Sequence, residues 1–221
     1  MVDPRRTASC DGADLHLPLR VGSDVALFNH LLAEIAARGA VNGGFLNKTK
    51  GFAAALEAAR TNDLGLTDLD PADVATFCDM WIETPKVVTV FSQGVNQSTS
   101  GADKVNSILN CHLATGRIGT PGCGPLSVTG QPNAMGGREV GGLANMLACH
   151  LDLENADHRG AVQSFWNAPQ MPDQAGLKAV DMFRAVGQGK IKALWIIHTN
   201  PAVSLPEADA VRDAIKGCDF V

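Results

Sequence analysis

The chain has 221 residues, of which 45% are hydrophobic and 19% charged, and its formal net charge is −5 at pH 7. This composition is that of a globular protein large enough to bury a core in one domain or two. The lack of a Lys and Arg cluster predicts no nucleic-acid partner, and the lack of an apolar run of about 20 residues predicts no membrane partner.

The first part of the chain is predicted to be mostly helical. Apolar residues recur at helical spacing over residues 25–38, and Gly39 is a typical C-terminal cap. An alanine-rich run over 52–60 predicts a second helix. A third helix is predicted over 72–83, with Pro71 at its first position.

Two strand–loop–helix units are predicted in the remainder of the chain. Residues 86–91 form a β-branched run, and a helix is expected over 102–115. The same order returns with a strand over 192–197 and a helix over 206–216. Two such units predict right-handed β-α-β connections in one sheet. The fold class is therefore α/β, with parallel strands flanked by helices.

Two polar turns near the amino terminus are candidate nucleotide-binding segments. In the first, a carboxylate can accept from ribose or base donors and arginine can bind phosphate; a solvated turn is the alternative. The second can present helix N-terminal amides to an anion or a guanine edge; an ordinary N-cap is the alternative. The two turns are Asp3-Pro4-Arg5-Arg6-Thr7 and Gly22-Ser23-Asp24.

Amide side chains follow both predicted strands of the later units. Gln93, Gly94 and Gln97 follow the first strand, and Asn200 follows the second. Amides both donate and accept hydrogen bonds, so they can bind a heterocycle without charge. Turn chemistry explains either group singly, whereas their occurrence at equivalent strand ends indicates a shared ligand.

Glycine crowds residues 87–141, which predicts a cofactor and substrate surface where backbone approaches a ligand closely. Arg138 lies among these glycines, and its planar guanidinium suits a planar oxyanion. The alternative is a structural contact network of Arg138 with Glu139.

The six cysteines never come closer than twelve positions, and the six histidines have no metal-ligand spacing. We therefore expect no metal ligand within the chain. Reduced thiols predict a cytoplasmic location.

Long ordered motifs resemble the molybdopterin oxidoreductases of the dimethyl sulfoxide reductase group, and within it the assimilatory nitrate reductase branch. They are DPRRT, ADLHLPLRVGSD, GVNQSTSG, HLATGRIGTPGCGPLSVTGQPNAMGGREVGGLANML and KALWIIHTNPAVSLPEAD. The resemblance runs nearly end to end.

The resemblance implies a molybdenum bis(molybdopterin guanine dinucleotide) cofactor and reduction of nitrate to nitrite. It also implies a 4Fe-4S cluster whose ligands lie outside this segment, and an electron donor protein or reductase subunit. Asp3 to Thr7 and Gly22 to Asp24 would bind one guanine dinucleotide arm. Gln93, Gly94, Gln97 and Asn200 would touch pterin or phosphate, and Arg138 would steer nitrate in a substrate funnel.

The resemblance further implies two incomplete dinucleotide-binding-like α/β domains, with residues 1–85 the helical remainder of one and 86–221 most of a second. The ends resemble interrupted strands, so we expect a fragment that needs the remaining domains of the same polypeptide and is inactive alone. Two alternatives stay open: a fragment of a formate dehydrogenase or other molybdopterin oxidoreductase, and a non-catalytic nucleotide-binding module.

Overall fold

A computed structural model describes residues 1–221, and the chain divides into two compact units, Met1–Gly130 and Gln131–Val221. No helix in either unit combines the length and apolar character needed to cross a membrane.

The first unit contains six α-helices and two strands. They are α1 Asp24–Ala37, α2 Gly43–Leu46, α3 Phe52–Arg60, α4 Pro71–Glu83, β1 Val88–Phe91, α5 Gln93–Asn96, α6 Gly101–Ala114 and β2 Gly124–Ser127. Short 3-10 helices span Ala8–Gly12 and Leu64–Thr67. The predicted helices over 25–38, 52–60, 72–83 and 102–115 are confirmed as α1, α3, α4 and α6, with ends that differ by at most one residue.

Helix α1 is the centre of the first unit because its apolar stripe is buried against α3 and α6. Leu27, Leu31 and Ile35 are each fully buried in one continuous core. The helix ends where Gly39 adopts a φ of +69°, a conformation that glycine reaches without steric cost. The predicted cap at this glycine is confirmed.

Helix α4 is anchored at both ends. The Asp70 side chain accepts from the backbone N–H of Ala72 at 2.8 Å, and Pro71 occupies the first turn as predicted. At the other end, the Arg117 guanidinium donates to the carbonyls of Trp81 and Thr84 and lies 4.4 Å from the centre of the Trp81 ring. The positive charge of an arginine at the C-terminal end of a helix interacts favourably with the negative end of the helix dipole.

Strands β1 and β2 pair in parallel, from Val88 beside Gly124 to Phe91 beside Ser127, with α6 between them in the chain. This β-α-β connection is not the predicted one, which joined the strand over 86–91 to the strand over 192–197, but the α/β fold class with parallel strands is confirmed. Strand β2 was not predicted, because its sequence GPLS lacks the β-branched residues typical of strands.

The second unit contains five helices and no regular strand. They are α7 Ala134–Glu139, α8 Ala156–Trp166, α9 Ala179–Gly187, α10 Pro201–Ser204 and α11 Ala208–Gly217, and a 3-10 helix spans Ala148–His150. Helices α9 and α11 pack around Phe183, Val186 and Val211.

The predicted strand over 192–197 is reduced to one parallel bridge between Ala193 and Phe220. The expectation of one sheet that contains both strand–loop–helix units is therefore wrong. Trp195 and Ile197 are 87% and 56% exposed, so the apolar run has no neighbouring strand to extend its pairing.

The predicted boundary near residue 85 does not coincide with the division into compact units. Helix α1 packs against α6, and β1 pairs with β2, so the first unit continues to Gly130. The division into 1–85 and 86–221 stays a prediction about the domains of a longer polypeptide.

Candidate functional site

Two of the predicted nucleotide-binding turns leave neighbouring strand segments of the first unit. Val2 and Leu17 form a parallel bridge, and the backbone N–H of Asp3 donates to the Leu17 carbonyl at 3.2 Å. Because parallel segments end at the same edge, the chain after Asp3 and the chain that leads to Gly22 start from that edge together.

The Asp3 turn is closed by a hydrogen bond within the turn, and one of its two arginines has no ion pair. Asp3 Oδ1 accepts from the backbone N–H of Arg5 at 2.8 Å, which closes the turn around Pro4. Arg6 forms an exposed ion pair with Asp11 at 3.2 Å, whereas the exposed Arg5 guanidinium has no ion pair. The Thr7 hydroxyl lies 3.8 Å from Cys10 Sγ. Arg5 can therefore meet an anion without losing a partner.

The turn Gly22-Ser23-Asp24 has accessible backbone at its first residue. Gly22 has a φ of +93°, and no atom lies within 4 Å of the position that a Cβ would occupy. Ser23 makes no side-chain cap bond; its hydroxyl donates to the Arg20 carbonyl at 2.7 Å instead. Ser23 is the N-cap residue of α1 by position, but its side chain does not cap the helix.

The third predicted turn is the short helix α5, which contains Gln93 and Gly94 and ends at Gln97. It is fixed to β2 by Asn96, whose Nδ2 donates to Ser127 Oγ at 3.0 Å. Its backbone also rests on α6: a Cβ at Gly101 would lie 2.8 Å from the Asn96 carbonyl oxygen. The Gln97 side chain is exposed.

One side chain that the sequence analysis missed joins the second and third turns. Lys104 Nζ lies 2.7 Å from Asp24 Oδ2 and donates to the Gly94 carbonyl at 3.2 Å. The structure therefore brings Gly22–Asp24 and Gln93–Gln97 together. The signal was available, because Lys104, Ile108 and Cys111 follow helical spacing on one face. This is the buried face of α6, so a lysine that shares it with Ile108 and Cys111 is expected to be buried as well.

The second unit holds the remaining two predicted residues, Arg138 and Asn200. Arg138 lies in α7, and its exposed side chain makes no hydrogen bond or ion pair; the side chain of Glu139 makes none either. The alternative of a contact network between them is therefore absent from the structure. Asn200 precedes α10, where its carbonyl accepts from the backbone N–H of Val203 and Ser204 while its side chain is exposed.

Several glycines of the crowded segment have a packing reason within the chain itself. A Cβ at Gly141 would lie 2.7 Å from the Ala148 backbone nitrogen, and one at Gly142 would lie 2.7 Å from the Gly137 oxygen. Gly94 and Gly130 have open space instead. Close approach to the chain's own backbone therefore explains part of the glycine content that suggested a ligand surface.

Buried thiols and imidazole in the first unit serve packing. Burial raises the pKa of the Cys78 thiol to about 12 and raises that of Cys111 further, so neither is a ready thiolate. Burial, together with the Arg117 charge, lowers the pKa of His112 to about 4. Nowhere do three His, Cys, Asp or Glu side chains converge as a metal site would require.

Comparisons with known proteins agree with the resemblance seen in the motifs. The molybdopterin oxidoreductase family matches residues 1–221. A nitrate reductase of Klebsiella oxytoca is 47% identical over 100% of this chain and 25% of its own length. The assimilatory nitrate reductase catalytic subunit of Bacillus subtilis is 34% identical over 99% of this chain and 32% of its own. The periplasmic nitrate reductase of Desulfovibrio desulfuricans is 32% identical over 98% and 31%.

The chain thus spans a quarter to a third of these curated relatives. Among solved structures, acetylene hydratase from Pelobacter acetylenicus matches with a TM-score of 0.65 at 16% identity. That match covers 99% of this chain and 33% of the hydratase, and it supports the fold alone.

Proposed function

The chain belongs to the molybdopterin oxidoreductase family, and from this we propose that it is part of the catalytic subunit of a molybdenum nitrate reductase that reduces nitrate to nitrite. The observation that carries the proposal is the match of the whole chain to proteins named nitrate reductase, up to 47% identical. The meeting of two candidate cofactor turns at Lys104 supports it.

We propose that the first unit binds one nucleotide arm of the cofactor. The exposed Arg5 guanidinium and the open backbone at Gly22 suit phosphate, because both offer N–H donors without an existing partner to displace. The exposed Gln97 amide can donate and accept toward a pterin or guanine edge. We include Asp3, Pro4, Arg6, Thr7, Ser23, Asp24, Gln93, Gly94 and Asn200 in the proposed cofactor-binding set.

When bound, the molybdenum cofactor supplies the two-electron, oxygen-atom transfer chemistry, and the protein supplies binding and orientation. We propose the bis(molybdopterin guanine dinucleotide) form, with electrons delivered through a 4Fe-4S cluster bound by the remaining domains of the polypeptide. Arg138 is proposed to attract and orient nitrate, since its guanidinium is exposed and has no acidic partner.

The test uses the full-length reductase that contains this chain. With reduced methyl viologen as electron donor, we expect nitrite to form from nitrate, and acid hydrolysis to release guanosine monophosphate in proportion to molybdenum. Enzyme produced with tungstate is the matched control and should be inactive. Formate oxidation without nitrate reduction would favour the formate dehydrogenase alternative, and protein without molybdenum or guanine nucleotide would favour the non-catalytic module.

We propose the assimilatory type and a cytoplasmic location as the finer assignment. The motif resemblance supports it, whereas identities of 34% to an assimilatory and 32% to a periplasmic relative do not separate the two. Fractionation of the source cells checks this: nitrate reductase activity in the cytoplasmic fraction is expected, and activity in the periplasmic fraction would contradict it.

A further inference from the structure

The ion pair of Lys104 with Asp24 is more buried than any other ion pair in the chain. The residue is 3% exposed, and its ammonium reaches Asp24 Oδ2 at 2.7 Å and the Gly94 carbonyl at 3.2 Å. In the eight other ion pairs, each side chain is at least 31% exposed. One side chain thus joins the first residue of α1, the backbone of α5 and the first turn of α6.

This arrangement is a costly way to hold three elements together. Removing an ammonium from water carries a large desolvation penalty, and its place in the first turn of α6 sets it against the positive end of that helix dipole. Apolar side chains at both positions would fill the site at lower cost, because well-packed hydrophobic residues that replace both partners of a buried ion pair often cause no loss of stability, whereas removing one partner alone destabilises the protein. Stability alone therefore does not explain a lysine here.

What the lysine adds is a fixed distance between two turns. An apolar side chain packs against Asp24 and Gly94 without direction, whereas an ammonium requires the carboxylate and the carbonyl oxygen within hydrogen-bond reach at once. Gly22 precedes Asp24 by two residues, and Gln93 and Gln97 flank Gly94 within three. The contact thus sets the position of both candidate cofactor turns.

We propose that Lys104 is a positioning residue that holds the Gly22–Asp24 turn and the Gln93–Gln97 turn in register for one nucleotide arm of the cofactor. The proposal rests on the proposed function, because it needs a cofactor that both turns contact. Lys104 acts through Asp24 and Gly94 and is not itself assigned a contact with the cofactor.

The experiment compares two variants of the full-length, cofactor-loaded reductase. Lys104→Met removes the ammonium and keeps the length of the side chain. Arg38→Met is the matched control, because Arg38 also ties α1 to another element, α4, through Asp79 but lies at the far end of α1. The measurement is guanosine monophosphate released by acid from washed protein, followed over time, beside the melting temperature of each variant.

We expect Lys104→Met to lose guanine nucleotide about tenfold faster than wild type, the effect of one misplaced charge-assisted hydrogen bond, while Arg38→Met retains it at the wild-type rate. Equal retention in both variants would overturn the proposal, whatever their melting temperatures. If Lys104→Met does not fold, Lys104→Arg decides, because it keeps the charge but changes the shape and reach of the donor group and so should disturb the distance between the turns. A rate between wild type and tenfold supports positioning, whereas a wild-type rate refutes it.

The outcome for wild type separates this proposal from the proposed function. Wild-type protein that carries neither molybdenum nor guanine nucleotide refutes the proposed function itself. Loaded wild type with equal retention in Lys104→Met and Arg38→Met refutes only the positioning role of Lys104.

Discussion

The two units differ in how much core supports their candidate residues. The first is built on one continuous cluster of fifteen buried hydrophobic residues, whereas the second has two separate clusters of five and three. The candidate turns of the first unit are fixed by buried contacts such as that of Lys104. Arg138 and Asn200 lie on exposed segments of the second. Packing thus fixes the proposed cofactor turns more firmly than the proposed nitrate residue.

Removing apolar volume from the larger core gives the largest expected effect. Leu31→Ala deletes a fully buried side chain of α1 and should lower the free energy of unfolding of the first unit by about 3 kcal/mol. Leu194→Ala in the second unit, where the residue is 8% exposed in a smaller cluster, should cost less, about 2 kcal/mol.

The measurement is urea unfolding with tryptophan fluorescence as the reporter of the first unit. Trp81 is 6% exposed there, while Trp166 and Trp195 of the second unit are 48% and 87% exposed and can be replaced by Phe. The same reporter background carries both variants, and hydrogen exchange follows the second unit. A larger loss from Leu194→Ala would contradict the difference between the cores.

Acid should destabilise the first unit through His112. Burial first, and the Arg117 charge second, lower its folded pKa to about 4 from 6.5. The unfolded chain therefore binds more protons between those values, so stability is complete above pH 6.5 and falls as the pH drops toward 4. The full loss is about 3 kcal/mol, and urea unfolding across this pH range measures it.

His112→Gln is the control for this titration. A hydrogen bond of 2.8 Å joins His112 Nε2 to Thr89 Oγ1, and glutamine can keep a bond to that hydroxyl without titrating. The difference in stability between wild type and His112→Gln should change with pH over this window and be constant above it. A constant difference throughout would show that the imidazole is not held neutral by its surroundings.

Two glycine-to-alanine changes test where close packing matters. Alanine at Gly101 places its Cβ 2.8 Å from the Asn96 carbonyl oxygen, so we expect a loss of about 2 kcal/mol despite the better helix propensity. Gly160 in α8 has no atom within 4 Å of the corresponding position, and Gly160→Ala should gain about 0.5–1 kcal/mol. Thermal unfolding measures both, and a gain at Gly101 would mean that α5 moves away freely.

The helices were predictable because their signals are local. The apolar stripe of α1, the cap at Gly39 and Pro71 at the start of α4 each specify a boundary without tertiary information. Strand β2 was not predictable, because the sequence GPLS has little strand propensity and the strand exists only through its pairing with β1, which lies more than 30 residues earlier in the chain. The prediction of a strand over 192–197 was wrong for the opposite reason: the residues favour a strand, but they have no partner strand beyond the single bridge at Ala193.

The candidate site was predictable as separate motifs but not as an arrangement. The sequence marks Gly22–Asp24 and Gln93–Gln97 as polar turns at strand and helix ends. Their contact through Lys104 depends on α6 packing against α1, a pairing between distant parts of the chain that no local pattern encodes. A lysine aligned with Ile108 and Cys111 was the one local sign of it.

The smallest expected effect on stability, and the sharpest test of the second unit, comes from Arg138→Ala. Its side chain is exposed and unpaired, so the free energy of unfolding should change by less than about 0.5 kcal/mol. In the full-length reductase, molybdenum content should stay at the wild-type level while the KM for nitrate rises or kcat falls.

Arg138→Lys separates charge from shape at this position, because lysine keeps the positive charge but lacks the planar pair of donors that suits nitrate. We therefore expect it to restore part of the KM and less of kcat. Loss of molybdenum in Arg138→Ala would instead make Arg138 a structural residue. In that case the exposed α7 segment would have to acquire a partner in the full-length protein, and the proposed nitrate site would have to lie elsewhere.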